Sequence, residues 1–235
     1  MSSNQYTPFN AMVDIIAAPG KALDNVKDHP AWLWWPLLVS IALTCIAFAW
    51  YYSWVDFDWL VDETINAVPA ENRAQAADRI RSFMSPTTSI AMTVLGVVVI
   101  TFLIYGIQAA YLHLAAKLTT DAQLRYGQWF AFSAWTAFVS IFGALAIMVV
   151  ILMADSNQLS QSDLSPLSMN SLFIHAQMGD PWFRWGSSLS LINFWMLFLM
   201  SMGFARWTGS SLLKSTIVAV LPWGLIFGIW AALIH

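Results

Sequence analysis

The sequence predicts an all-α, polytopic membrane protein: a bundle of five transmembrane helices with an N-terminal amphipathic arm, N-in/C-out. Three observations predict it. Of 235 residues, 59% are hydrophobic and only 10% charged, against roughly 45–50% and 25% in a soluble domain, so charges are too few to coat a water-facing surface. The apolar residues come in runs of about 20, the length a helix needs to cross a hydrocarbon core of about 30 Å. The Lys and Arg residues near the ends of those runs favour alternate loops, the pattern that orients membrane proteins.

The chain divides into an arm, residues 1–30, and a five-span domain, 31–235, with outer-face polar segments at 56–86 and 154–181. In the arm, Thr7-Pro8 forms a helix N-cap and first-turn pair. Phe9, Met12, Val13 and Ile16 then recur on one helix face, and Pro19-Gly20 ends that helix. The arm either lies in the headgroup region with this face down or packs on the bundle. The first span, about Trp32 to Trp54, carries Trp32, Trp34 and Trp35 at one end and Trp50, Tyr51, Tyr52 and Trp54 at the other. Such aromatic belts fix helix depth. The run lacks a small-residue cleavage site and reads as an anchor, not a signal peptide.

Residues 56–86 predict two short amphipathic helices separated by Pro69, with Asp56, Asp58, Asp62 and Glu63 as an acidic cluster that reads as a solvated face. The second span starts near Thr87 and stays helical to Leu118, longer than one crossing requires. Gly106, Ala110, His113 and Lys117 share one of its faces, and the small residues there allow close helix approach. The third span runs about Trp129 to Met153. A short loop joins these two as a hairpin over Gly106 to Phe138. The fourth span runs about Trp182 to Arg206, with Asn193 near its midpoint. The fifth runs about Leu212 to Leu233, with a helix break at Pro222 and a GxxxG at Gly224 and Gly228. A proline there leaves the carbonyl one turn earlier, near Val218, without its helical partner.

With the N-terminus inside, the inner parts hold Lys21, Lys27, Lys117, Arg125, Arg206 and Lys214, and the outer parts hold Arg73, Arg79, Arg81 and Arg184. Five spans then place His235 outside.

No catalytic constellation emerges. HExxH and GxSxG are absent, and His29, His113, His175 and His235 lie on different segments. Gly209-Ser-Ser-Leu-Leu-Lys214-Ser215 carries Leu213 where a phosphate loop needs its second glycine. One cysteine, Cys45, allows neither an intrachain disulfide nor a cysteine-based zinc site. No cofactor, metal site or nucleic-acid partner is expected. Intramembrane polarity remains: Asn193, Gln108 and His113. Asn193 is the deepest, and an interhelical hydrogen bond is the favoured role. Gln108 and His113 lie nearer the inner interface, within reach of water.

The entry segment Ile15-Ile16-Ala17-Ala18-Pro19-Gly20-Lys21-Ala22-Leu23, then His29-Pro30-Ala31-Trp32 and Pro36-Leu37-Leu38, resembles the Yip (Ypt-interacting protein) family, particularly its bacterial inner-membrane branch. Tyr126-Gly127-Gln128-Trp129-Phe130-Ala131-Phe132 and the Pro166 to Leu172 segment are similar to members of it as well. The resemblance implies a five-span fold, a bacterial inner (cytoplasmic) membrane and no enzymatic activity. The Asp-Leu-Tyr-Gly-Pro motif of the Rab-binding eukaryotic relatives is absent, so that role does not carry over. The third span also lacks the proline that relatives often have there. The expected function is to bind partner proteins or organise membrane lipid, with self-association through Gly224 and Gly228. The alternative is a small-solute or ion transporter or channel with a polar site near the bilayer midplane, at Asn193.

Overall fold

A computed structural model describes residues 6–234, and among them the secondary structure is helical throughout apart from one isolated antiparallel bridge, Ser168 with Ser190. His235, expected outside the membrane, lies beyond the described residues. The arm forms α1 (Pro8–Ala17) and α2 (Pro19–Asp28). Thr7 caps α1 as its sequence predicts, its Oγ1 accepting from Asn10 N at 3.3 Å. A 3-10 turn at Pro30–Leu33 leads into α3 (Trp34–Trp54). The first polar segment gives α4 (Phe57–Asn66) and α5 (Ala70–Phe83), broken at Pro69. The second span is α6 (Pro86–Thr119), 34 residues and so about 50 Å long.

The third span is built from α7 (Tyr126–Thr136), a 3-10 turn at Ala137–Ser140 and α8 (Ile141–Met153). The ladder of i to i−4 bonds is therefore interrupted there without a proline. The expected fourth span, Trp182 to Arg206, is two helices, α9 (Pro181–Ser188) and α10 (Leu191–Thr208). The backbone between them pairs sideways instead of continuing: Met169 N donates to Leu189 O at 2.7 Å, and Leu191 N to Leu167 O at 3.0 Å. Asn193 consequently sits in the first turn of α10, not at a helix midpoint. The fifth span, α11 (Leu212–Ala232), is not broken at Pro222 but runs through it.

Among the described residues four helical stretches are long and apolar enough to cross a membrane: Pro30–Trp54, Pro86–Thr119, Tyr126–Met153 and Leu212–Ala232. The most apolar stretch of α6 has no buried residue at all. Leu95, Val99, Leu103 and Ile107 are each more than half exposed along it. A row of this size on a water-soluble surface would be an aggregation site; lipid covers it in a membrane. The protein is all-α and polytopic.

The helices pack as two units. One comprises the described residues of Met1–Ile41 with Ile100–Ile141 and Ile192–Ala232; the other comprises Ala42–Val99, Phe142–Leu191 and the described residues of Leu233–His235. The core of the second unit gathers Tyr51, Tyr52, Val55, Leu60, Ile151 and Leu164. Tyr51 Oη donates to Leu159 O at 2.7 Å, and Gln161 Nε2 donates to Tyr52 Oη at 2.9 Å. These bonds let the tyrosines bury their rings without stranding their hydroxyls. The acidic cluster is dispersed: Asp56 caps α4 by accepting from Trp59 N at 3.1 Å, and Asp62 pairs with Arg81 at 3.1 Å. Among the described residues no three His, Cys, Asp or Glu side chains gather where a metal ion could be held. Gly186 lies where a β-carbon would meet Ile174 Cδ1 at 2.7 Å and Asn170 Cα at 3.2 Å. Asn170 in turn pins the adjoining loop, exchanging two hydrogen bonds with Ala176.

Candidate functional site

The first unit brings the arm onto α7 and α10. Ala22, Leu23 and Val26 form the buried face of α2, matching the 3.6-residue period of an apolar stripe. Polar ties surround this stripe. Trp207 Nε1 donates to Leu23 O at 3.0 Å, and Lys27 Nζ donates to Trp207 O at 3.1 Å. Gln128 uses both ends of its amide: Oε1 accepts from Arg125 N at 2.9 Å, starting α7, and Nε2 donates to Lys27 O at 2.9 Å. Arg206 grips both carboxylate oxygens of Asp24, its Nε lying 3.0 Å from Oδ1. Bidentate pairing of this kind fixes direction as well as distance.

Gly203 makes the close approach feasible. A β-carbon there would come within 2.5 Å of Phe132 Cε2 and 2.9 Å of Leu23 Cδ1, so any larger residue between α2, α7 and α10 forces those side chains to shift. Beside it Trp129, Phe132, Phe204 and Trp207 pack with ring centroids 4.9–5.6 Å apart, inside the range of favourable aromatic pairs. Two turns of the arm are locked to each other as well. Asp14 accepts from Tyr6 Oη at 2.9 Å and pairs with Lys21 Nζ at 2.8 Å. Lys21 first, and the Tyr6 hydroxyl second, hold the Asp14 carboxyl below its ordinary range. Burial, and then Asp14 itself, push the Tyr6 hydroxyl up. On α1, Ala11 and Ile15 are fully buried while Phe9, Val13 and Ile16 on the opposite side are exposed.

The residues singled out in the sequence fall as follows. Gly106 is not a helix-packing notch: a β-carbon would reach only ordinary contact, 3.5 Å from Tyr126 Oη. Its carbonyl instead accepts the Tyr126 hydroxyl at 3.0 Å, tying the start of α7 back to α6. Ala110 is exposed, and the buried side of α6 is formed by Ala109, Leu112, Ala115 and Ala116. A β-carbon on Gly228 would meet nothing within 4 Å, and one on Gly224 only Val220 Cγ1 of its own helix at 3.9 Å. The Val218 carbonyl released by Pro222 accepts the Tyr111 hydroxyl of α6 at 2.7 Å, so the proline creates an acceptor between two helices. Asn193 is half-buried and engaged with a partner. Gln108 Nε2 and His113 Nδ1 are buried without a hydrogen-bond partner among the described residues. Gln108 and His113 are not alone in this: Trp129 Nε1 is orphaned too.

Sequence reasoning missed Gly203 and Trp129. The faint signal for the first was a small-residue spacing, Ser201-x-Gly203, beside the more conspicuous GxxxG. For the second there was none, because an aromatic in an apolar run reads as core.

The Yip1 domain family model matches residues 13–233. No curated protein and no solved structure matches the chain.

Proposed function

The chain belongs to the Yip1-domain family, and on that premise we propose that it is a non-enzymatic, multi-pass protein of a bacterial inner membrane that organises lipid and presents a docking face to partner proteins. Five spans with the N-terminus inside and the C-terminus outside complete the reading, α10 serving as the fourth. A C-terminal reporter active only in the cytoplasm is expected to stay silent.

The observation that carries the proposal is the arm. It is held by a buried bond from Trp207 and a part-buried one from Gln128, and it turns Ala11 and Ile15 inward while Phe9, Val13 and Ile16 remain uncovered. A helix fixed in this way, with an apolar row free, is suited to lie in the headgroup layer. Self-association through the open faces of Gly224 and Gly228 fits the same role.

The test is a depth measurement on the full chain in liposomes. Val13→Cys in a Cys45→Ala background is labelled with an environment-sensitive dye. Quenching by lipid-phase but not aqueous quenchers is expected. Quenching by iodide alone overturns the reading, and so does a solute or ion flux that Asn193→Leu abolishes.

A further inference from the structure

Between the C-terminal turns of α6 and the first turns of α7 lies a cavity of about 190 Å³, walled by His113, Lys117, Thr120, Gln123 and Trp129 among others. At about 30 Å³ per water, that is room for roughly six waters or for one tetrahedral oxyanion with its remaining hydration. Two of the wall residues carry buried polar atoms with no partner among the described residues: His113 Nδ1 and Trp129 Nε1. Trp129 is fully buried. An indole N–H only donates, and an imidazole nitrogen donates or accepts according to tautomer. A buried donor left unmatched costs about 1–3 kcal/mol, and both of these orphaned atoms belong to residues of the one wall.

The charge of the wall decides the ligand's sign. Lys117 stands in none of the ion pairs formed among the described residues, and no carboxylate lines this cavity. Asp121, the nearest acid in sequence, lines the adjoining hollow with Lys214 instead. Thr120 is already used, its hydroxyl donating to Ala116 O at 2.7 Å. The C-terminal dipole of α6 opposes an anion and the N-terminal dipole of α7 supports one, which leaves the side-chain donors to set the preference. They are an ammonium, an indole N–H and an imidazole.

From this arrangement we propose that the His113–Lys117–Trp129 cavity binds a phosphate-bearing anion, supplied either by a lipid headgroup or by a free phosphate compound. The arm plays no part in the argument, so the inference stands or falls separately from the lipid-organising reading.

The experiment uses the full chain in two settings. In detergent, equilibrium dialysis measures retention of radiolabelled inorganic phosphate. In nanodiscs of phosphatidylcholine containing one-fifth phosphatidic acid, native mass spectrometry measures the lipids that stay bound after release. Each is repeated with Lys117→Gln, which removes an exposed charge without touching the core, and with Trp129→Phe, which keeps a ring and deletes the donor. Loss of one charge-assisted bond predicts at least about tenfold weaker binding for Lys117→Gln. Saturable phosphate retention weakened by Lys117→Gln identifies a free anion. Selective phosphatidic acid retention lost in that variant, without phosphate binding, identifies a headgroup. Either supports the proposal. No retention in either setting, or retention that Lys117→Gln leaves unchanged, overturns it even if Trp129→Phe does not fold.

Discussion

Tyr111→Phe should cost more than an exposed hydroxyl would, and only because Pro222 is present. Proline has no N–H, so the Val218 carbonyl one turn earlier loses its helical donor. Tyr111 Oη replaces that donor at 2.7 Å, in a setting where Val218 is 8% exposed. Deleting the hydroxyl strands a buried acceptor, a loss of about 1–3 kcal/mol in general. Polar bonds between membrane helices measure lower on average, about 0.6 kcal/mol, so the expected cost is about 1–2 kcal/mol. In a Pro222→Ala background the backbone N–H returns and the carbonyl keeps a bond, so the same deletion should cost less than about 0.5 kcal/mol. The difference, on the order of 1 kcal/mol, exceeds the usual additivity scatter of about 0.3–0.5 kcal/mol. The assay is equilibrium unfolding of the four proteins in mixed micelles against SDS mole fraction. Equal costs of Tyr111→Phe in both backgrounds would refute the claim that the proline and the hydroxyl are partners.

Other substitutions separate the ties of the arm. Gly203→Ala pushes a β-carbon into Phe132 and Leu23, and overpacking of this kind costs about 1–3 kcal/mol; limited proteolysis should cut the arm faster. Trp207→Phe removes the buried donor to Leu23 O and should loosen the arm in the same assay by about 1–3 kcal/mol. Asp24→Asn should do far less, about 0–1 kcal/mol, because both members of its pair with Arg206 are roughly half exposed. The lock of Asp14 on Lys21 and Tyr6 has a definite sign with pH. A depressed carboxyl adds stability above its unfolded value, about 3.9, and loses it as pH falls through the lower folded value. Proteolysis between α1 and α2 should therefore be flat from pH 7 to 5 and rise only below about pH 4, and Asp14→Asn should abolish that rise.

Much of the framework was readable because it depends on local chemistry. Thr7 acts through its own hydroxyl on a backbone N–H three residues on and Pro69 through its fixed backbone, and even the orphan carbonyl near Val218 follows from the covalent structure of proline. The split between α9 and α10 was not readable. Leu189-Ser190-Leu191 has no breaker, and the helix ends because Met169 and Leu167, twenty and twenty-four residues from their partners, compete for its backbone groups. Small residues misled for a related reason. Gly224 and Gly228 have the conspicuous spacing but meet no other helix, whereas Gly203 is enclosed by α2 and α7. The donors of Trp129 and His113 became visible only when two helices were set side by side, since being unpartnered is a property of neighbours.

The bond from Asp24 to Arg206 joins residues 182 positions apart, and this separation has a consequence for how the chain is made. At about 5–20 residues per second, the ribosome needs roughly 10–35 s after making Asp24 before its partner exists. Until α10 exists, the stripe of Ala22, Leu23 and Val26 has only the part of its seat that α7 supplies. The arm is thus made well before the partner that completes its seat. Closing the apolar stripe of α2 therefore waits on a helix some 180 residues further along the chain.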